Sequence, residues 1–221
     1  ASAVDIQGLI GGTNAIGTLT INDRAADTGD ITLTGIGDSA GLGATTTAIG
    51  NAKTAGTVTL AGDDYHTGAA TYTGGSFSIT GTDPEFKTTD LAIEFAAADS
   101  TGGDVTLADA ADLSVATGTG SITFGGDILG TDNGVATDVV LDSSGTVSVK
   151  SIGANGSTAD GNINDVTIDG STITLNGTIS TAVLGGTGAT KATDLGVVDI
   201  NGNVALGGST TIDTSATGND A

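Results

Sequence analysis

The sequence predicts an all-β protein whose strands stack as a parallel β-helix, or β-solenoid, with three strands per coil. Short runs of alternating β-forming residues, each closed by Gly, Asn or Asp, recur along the whole chain. Examples are Ile31–Gly35, Val58–Gly62, Ile122–Gly126 and Ile173–Gly177. The runs follow one another closely, which leaves room for a short strand and a corner but not for a helix. We therefore expect the 221 residues to form one β-solenoid segment, residues 1–221, of a longer repeat protein or filament.

Each strand is placed where β-branched or aromatic residues alternate with polar ones and a turn residue follows. The predicted strands are Val4–Ile6, Thr18–Ile21, Asp30–Thr34, Thr57–Leu60, Ser76–Thr80, Leu91–Phe95, Asp104–Leu107, Asp112–Val115, Ser121–Phe124, Thr137–Leu141, Thr146–Val149, Asp165–Ile168, Ser171–Leu175, Gly196–Ile200, Asn203–Leu206 and Thr210–Asp213. The alanine-rich stretch 91–113 is interrupted by glycines and alternates well, so we read it as strand. The wider intervals, 34–57 and 150–165, are expected to be loops that project from a corner.

Spacing and self-similarity favour the solenoid over an antiparallel β-sandwich, the structural alternative. Three units of strand plus corner give a coil of roughly 21 to 27 residues. The segment 121–128 matches 172–179 at a displacement of 51 residues, about two such coils. A weaker likeness between 3–8 and 197–202 suggests a larger unit of about 190 residues. The sandwich stays open because Asn-Gly, at positions 133, 155, 176 and 201, is also a hairpin signal.

Charge and composition exclude several partners. The chain has 26 acidic and five basic residues, with a formal net charge of −21, so nucleic acid and anionic membranes are poor partners. It has no cysteine, hence no disulfide and no thiolate site. No apolar run is long enough for a transmembrane span, and no secretory signal is recognisable. Because Met is missing even at position 1, we expect a processed product or a piece of a longer protein.

The acidic residues have two readings. Nearly all are Asp, which bonds to nearby backbone amides in turns, so most are expected to belong to corners. The second interpretation is that some of them bind Ca²⁺, which prefers carboxylate and carbonyl oxygens as ligands. The closest clusters are Asp63 with Asp64 and Asp83 with Glu85, which makes these four residues weak metal candidates. No ordered ligand spacing supports them, and no cofactor is expected.

The predicted fold is compatible with catalysis, since parallel β-helices also host polysaccharide-degrading enzymes. His66, in the run Asp63–His66, is the only histidine, and we expect it to be an exposed loop residue. The five dispersed cations argue against a lyase, and no nucleophile or phosphate-binding motif is present. We expect no catalytic residue. A β-helix polysaccharide-degrading enzyme remains an alternative function.

Ice binding is a second alternative. Outward threonine pairs resemble the ladders of ice-binding β-solenoids, but their intervals along the chain are irregular. The pairs are Thr18/Thr20, Thr32/Thr34, Thr57/Thr59, Thr71/Thr73 and Thr172/Thr174.

Three segments carry a resemblance to a known family. Asp104–Leu107, Gly120–Gly126 and Ser171–Gly177 resemble the repeat arrays of filamentous-haemagglutinin-type bacterial adhesins and related giant surface proteins. The resemblance implies a right-handed parallel β-helix, export to the cell surface, and a role in adhesion, aggregation or matrix building. The expected function is therefore a non-enzymatic extracellular filament, sheath or adhesin stalk. It would associate with itself end to end or as a polymer, and its other expected partners are carbohydrate or a host or neighbouring cell surface.

Overall fold

The structure is a computed structural model that describes residues 3–22, 29–38, 43–98, 102–130, 137–153, 163–181 and 196–214. Within these ranges the chain contains 19 strands and no helix. Every strand pair in the described ranges is parallel. The chain passes through three faces in turn and returns to the first one coil further on, so the predicted β-solenoid is confirmed and the antiparallel sandwich is wrong. The right-handed sense stays a prediction.

The first face begins with six short strands of three or four residues each. Its strands are β1 (Val4–Ile6), β3 (Ile31–Leu33), β5 (Thr57–Leu60), β7 (Ser76–Ile79), β10 (Asp104–Leu107) and β13 (Ile128–Gly130). Single bridges through Ile152 continue this face to β17 (Ile179–Ser180), which pairs with β19 (Ile212–Asp213). One column of inward residues runs along it: Val4, Ile31, Val58, Phe77, Val105, Ile128, Ile152, Ile179 and Ile212.

The second and third faces share three bent strands, β6 (Asp64–Gly74), β16 (Val166–Leu175) and β18 (Val198–Leu206), which contribute their first half to the second face and their second half to the third. The second face is completed by bridges at Ile10 and Ile36 and by β8 (Glu85–Lys87), β11 (Leu113–Ala116) and β14 (Val139–Asp142). The third face is completed by β2 (Ile16–Ile21), β4 (Ala44–Ile49), β9 (Ile93–Ala97), β12 (Ile122–Phe124) and β15 (Thr146–Val149).

Coil length varies although the columns stay in register. Successive positions on the first face are separated by as few as 19 residues, from Val58 to Phe77, and as many as 33, from Ile179 to Ile212. Most of the other steps lie within the predicted 21 to 27 residues, such as the step from Val4 to Ile31. Corners absorb the difference, because only the strand residues must meet their partners in the next coil.

The interior is a stack of aliphatic columns with an aromatic middle section. All six aromatic residues are buried. Tyr65 stacks on Phe86 with ring centroids 4.5 Å apart, and Phe95 stacks on both Tyr72 and Phe124 at 5.0 and 4.7 Å. The outer coils are filled by aliphatic side chains, whereas the central coils are filled by rings stacked one coil apart.

Three sequence predictions about organisation are corrected. The interval between Leu33 and Val58 is not a projecting loop, since it contains β4 and the Ile36 bridge. In the interval between Val149 and Val166, Ile152 is a ladder position, and residues 154–162 lie outside the described residues. The likeness of 3–8 to 197–202 is not a structural repeat, because β1 lies on the first face and the first half of β18 on the second. The 51-residue displacement does correspond to two coils, through the register Ile122, Val147 and Ile173.

Candidate functional surfaces

Several aspartates at the corners accept hydrogen bonds from the backbone of the neighbouring coil. Asp30 accepts a hydrogen bond from the Thr57 amide at 2.9 Å, and Asp90 accepts one from the Thr119 amide at 2.9 Å. The predicted role of Asp in corners is thus correct in kind, but these amide partners lie 27 and 29 residues away rather than within the same turn. The acidic corners therefore join coil to coil.

Four aspartates form a continuous column at the start of the second face. The register of β8, β11, β14 and β16 stacks Asp83, Asp112, Asp138 and Asp165 in successive coils. The Asp112 carboxylate accepts from the Asp138 amide at 3.0 Å, and the Asp138 carboxylate accepts from the Asp165 amide at 3.1 Å. Partial burial raises the pKa of Asp112; the bond from Asp138 opposes that rise, and the negative charges of Asp138 and Asp83 add to it. We call this set the aspartate column.

The four metal candidates occupy two different settings. Asp63 and Asp83 lie in corners, and an Asp63 carboxylate oxygen accepts from the Asp83 amide at 3.2 Å. Asp64 and Glu85 begin β6 and β8 and are register partners in adjacent coils. In the described ranges, no three or more His, Cys, Asp or Glu side chains are grouped so that they could hold a metal ion. Asp64 and Glu85 both lie near the Nε2 of His66, at 3.9 and 2.6 Å.

His66 was predicted to be an exposed loop residue, and this prediction is wrong. It lies in β6 and is only 5 % exposed. Its Nδ1 lies 2.5 Å from the carbonyl oxygen of Asp38, one coil before, and its Nε2 lies 2.6 Å from a carboxylate oxygen of Glu85, one coil after. Because a carbonyl oxygen only accepts, Nδ1 must carry a proton and donate it. A proton must also lie between Nε2 and Glu85, whose other oxygen is 3.5 Å from the Lys87 ammonium. His66 thus joins three coils.

The first and third faces both carry register-aligned outward hydroxyls, and on the first face they form the column Thr32–Thr59–Ser78–Thr106. In β12, β15 and β16 the register aligns two columns, Ser121–Thr146–Thr172 and Thr123–Ser148–Thr174. We call these six residues the hydroxyl array; neighbouring coils lie about 4.8 Å apart. The sequence pairs Thr18/Thr20, Thr71/Thr73 and Thr172/Thr174 are all on this face, whereas Thr32/Thr34 and Thr57/Thr59 are on the first. The spacing of threonine pairs along the chain does not reveal the array, because the coils differ in length and because serines occupy some positions of the columns.

Both ends of the described solenoid expose residues that belong to interior columns. At the carboxyl end, Val204, Leu206 and Ile212 are 49, 66 and 51 % exposed, whereas their partners one coil earlier are at most 1 % exposed. At the amino end, Ile16 is 38 % exposed, whereas its partner one coil later, Ala44, is fully buried. These apolar ends are named the carboxyl end (β18 and β19) and the amino end (β1, Leu9 to Ile10, and β2).

The chain matches no protein-family model, no curated protein and no solved structure. The resemblance to filamentous-haemagglutinin-type adhesins therefore stays a prediction from sequence. The described residues include no helix that is long and apolar enough to span a membrane. Functional inference for this chain consequently depends on its surfaces alone.

Proposed function

We propose that this chain is a non-enzymatic structural protein of the cell exterior, serving as a segment of a surface filament, sheath or adhesin stalk. The observation that carries the proposal is the continuous stack of parallel coils, whose three faces run along the described part of the chain from β1 to β19. A stack of parallel coils resists bending and shear through its backbone ladders, and it extends by adding coils rather than by enlarging a core. Such a rod suits a spacer or fibre.

The positions of His66 and of the aspartate column support a non-enzymatic role. Both ring nitrogens of His66 are occupied and the residue is buried, so it is badly placed to take a proton from a substrate. In the aspartate column, the carboxylates of Asp112, Asp138 and Asp165 each accept a backbone amide of the next coil along one corner. Hydrolysis of a polysaccharide would require two carboxyl groups on opposite sides of a glycosidic bond.

Electron microscopy of the purified 221-residue chain tests the proposal. We expect continuous unbranched fibres at high protein concentration, and we expect them to survive a calcium chelator because their contacts are apolar and backbone-mediated. Isolated short rods under all conditions would contradict the filament role. Fibres that dissolve on chelation would replace apolar stacking with a cation-dependent contact.

The hydroxyl array supports a second candidate, binding to the surface of ice. Two hydroxyl columns at coil spacing present a regular group of donors and acceptors that carries no charge among its six members. Thermal hysteresis of the wild-type chain would be compared with that of Ser148→Tyr, which places a bulky ring in the array, and with that of Val140→Tyr, which places the same ring at an exposed apolar position of the second face. Ice binding predicts activity that is lost only in Ser148→Tyr. No hysteresis in the wild type rejects this candidate.

A further inference from the structure

We propose that the ring of His66 is a proton-dependent joint between three coils. In the folded chain at neutral pH both ring nitrogens carry a proton, and loss of one proton at mildly alkaline pH releases a neighbouring coil from the ring. The joint lies at the start of β6 on the second face, between the coil that contains Asp38 and the coil that contains β8. It does not depend on the proposed filament function, because every contact lies within one chain.

The ring faces two hydrogen-bond acceptors, one on each side. Nδ1 lies 2.5 Å from the carbonyl oxygen of Asp38, and Nε2 lies 2.6 Å from a carboxylate oxygen of Glu85. A neutral imidazole has one N–H group, whereas an imidazolium has two. When Glu85 is ionised, only the imidazolium can donate to both neighbours. The observed geometry therefore needs a second proton.

The surrounding charges place this second proton on His66 rather than on Glu85. On the same strand, the carboxylate of Asp64 lies 3.9 Å from Nε2 and stabilises a positive ring. In the next coil, the Lys87 ammonium lies 3.5 Å from the other Glu85 oxygen and stabilises an ionised Glu85. In the preceding coil, Asp38 contributes a further negative charge. A charged ring thus balances the adjacent carboxylates, and a neutral ring leaves them in excess.

Burial makes the loss of the proton costly for the fold. His66 is only 5 % exposed, so water cannot replace a lost partner unless the surrounding chain moves. Once the ring is neutral, either the Asp38 carbonyl or the Glu85 carboxylate faces a nitrogen lone pair instead of a proton. No choice of tautomer satisfies both acceptors. One of the two neighbouring coils therefore loses its contact with the ring.

The sign of the pH dependence follows from proton binding. The folded chain holds a proton at His66 that the unfolded chain releases in the ordinary histidine range, near about pH 6.5. The stabilisation is complete below that range and is lost as pH rises, until the folded chain releases the proton as well. Within this window each pH unit should shift the unfolding equilibrium constant by about tenfold towards the unfolded chain. The window lies below the tyrosine range, near about pH 10.

The decisive variant is Glu85→Gln, made in the full 221-residue chain. Its carboxamide is uncharged and can donate an N–H group to a neutral Nε2, so the ring satisfies both neighbours without a second proton. The matched control is Glu94→Gln, which changes the only other glutamate of the chain and removes the same charge. Glu94 is exposed in β9, on the third face. Circular dichroism would first establish that both variants fold like the wild type.

Nitrogen-15 NMR of the histidine-labelled chain is the first readout. Because His66 is the only histidine, the spectrum reports on this ring alone. At neutral pH, before and after addition of EDTA, we expect both ring nitrogens of the wild type and of Glu94→Gln to have the chemical shifts of protonated nitrogens. In Glu85→Gln we expect a protonated Nδ1 and an unprotonated Nε2.

Denaturant titrations between about pH 6 and pH 9 are the second readout, because this range spans the proposed release of the proton. The wild type and Glu94→Gln should lose stability as pH rises, by up to about tenfold in the unfolding equilibrium constant per pH unit. Glu85→Gln should lack this loss. In the wild type, the proton should leave the ring over the same pH range in which stability falls.

Four outcomes would overturn the proposal. An unprotonated Nε2 in the wild type at neutral pH would mean that Glu85 holds the shared proton. An Nε2 that becomes protonated only after EDTA is added would mean that a bound cation joins it to the carboxylates. An equal loss of stability in all three chains would assign the pH dependence to overall charge. If Glu85→Gln does not fold, a wild-type ring that loses its proton without any loss of stability would still reject the joint.

Discussion

Removing the hydroxyl group from each of two buried tyrosines should change the free energy of unfolding in opposite directions. Tyr65 and Tyr72 are both fully buried in β6, and each stacks on a phenylalanine of the next coil. The Tyr65 hydroxyl donates to the Leu33 carbonyl at 3.1 Å and accepts from the Gly62 amide at 3.1 Å. Among the residues that the structure describes, the Tyr72 hydroxyl has no hydrogen-bond partner. Replacing each tyrosine by phenylalanine therefore measures how much the hydrogen bonds of a buried tyrosine hydroxyl contribute to stability.

The expected magnitudes follow from these contacts. Tyr65→Phe deletes two hydrogen bonds of about 1 kcal/mol each, so it should lower the free energy of unfolding by about 2 kcal/mol. Tyr72→Phe removes a buried polar group that has no partner, so it should raise the free energy of unfolding by about 1 to 2 kcal/mol. In a chain of this size, each 1 kcal/mol shifts the melting temperature by roughly 2 to 4 °C.

Denaturant unfolding followed by far-ultraviolet circular dichroism measures both variants. Because the chain has no tryptophan and two tyrosines, each variant also leaves a single tyrosine whose fluorescence reports on the same central coils. The decisive quantity is the sign of the difference between the two variants. If Tyr72→Phe destabilises the chain as much as Tyr65→Phe does, the Tyr72 hydroxyl has a hydrogen-bond partner and the reasoning fails.

Three further predictions concern the backbone, the aspartate column and alkaline pH. Gly50→Ala should lower the free energy of unfolding, measured by denaturant titration, by about 3 kcal/mol or more. The reason is that Gly50 has φ +74° and that a Cβ there would lie 1.9 Å from a backbone oxygen of the next coil. The control Gly17→Ala has open space around the added Cβ and should change the free energy of unfolding by less than about 1 kcal/mol. Asp112→Asn should be more stable than the wild type by about 0.5 kcal/mol at neutral pH, because the amide oxygen still accepts the neighbouring backbone while like-charge repulsion is removed. Because the pKa of Asp112 is raised in the folded state, the wild type should gain stability as the pH falls from that pKa towards the ordinary value of 3.8. Melting curves recorded over this pH range should show the gain in the wild type and in the control Asp90→Asn. They should not show it in Asp112→Asn. Burial raises the pKa of both tyrosines above 10.0, so stability should fall as pH rises beyond the ordinary tyrosine range, and tyrosinate absorbance should increase only as β structure is lost; ionisation of the intact fold would contradict this.

Local sequence was a good guide to the strands of the regular coils and a poor one to their neighbours. Strands such as Thr57–Leu60 and Asp104–Leu107 were predicted with their observed bounds because strict alternation and a closing turn residue are local signals. β4 was missed because its sequence, Ala-Thr-Thr-Thr-Ala-Ile, lacks alternation; its buried Thr47 hydroxyl is instead satisfied by that of Thr67 at 2.7 Å. That bond depends on a residue of the next coil, which no local window contains.

The surfaces were harder to foresee for the same reason. His66 stands out in the sequence as the only histidine, but its buried position depends on contacts with Asp38 and Glu85, which lie 28 and 19 residues away. The hydroxyl array needs the register between coils of unequal length. Sequence identified the kinds of residue at these positions, whereas the neighbours of each residue are set by the lengths of the corners.

Unequal coils also give the molecule a mechanical signature. If the two termini are pulled apart in a single-molecule experiment, end coils should peel away one after another, because each coil is held mainly by the coil beside it. A released coil of 19 residues adds about 70 Å of extended chain, and one of 33 residues adds about 120 Å, at up to 3.6 Å per residue. The force trace would then be a sequence of unequal steps, from which the order of the coils along the rod could be read directly.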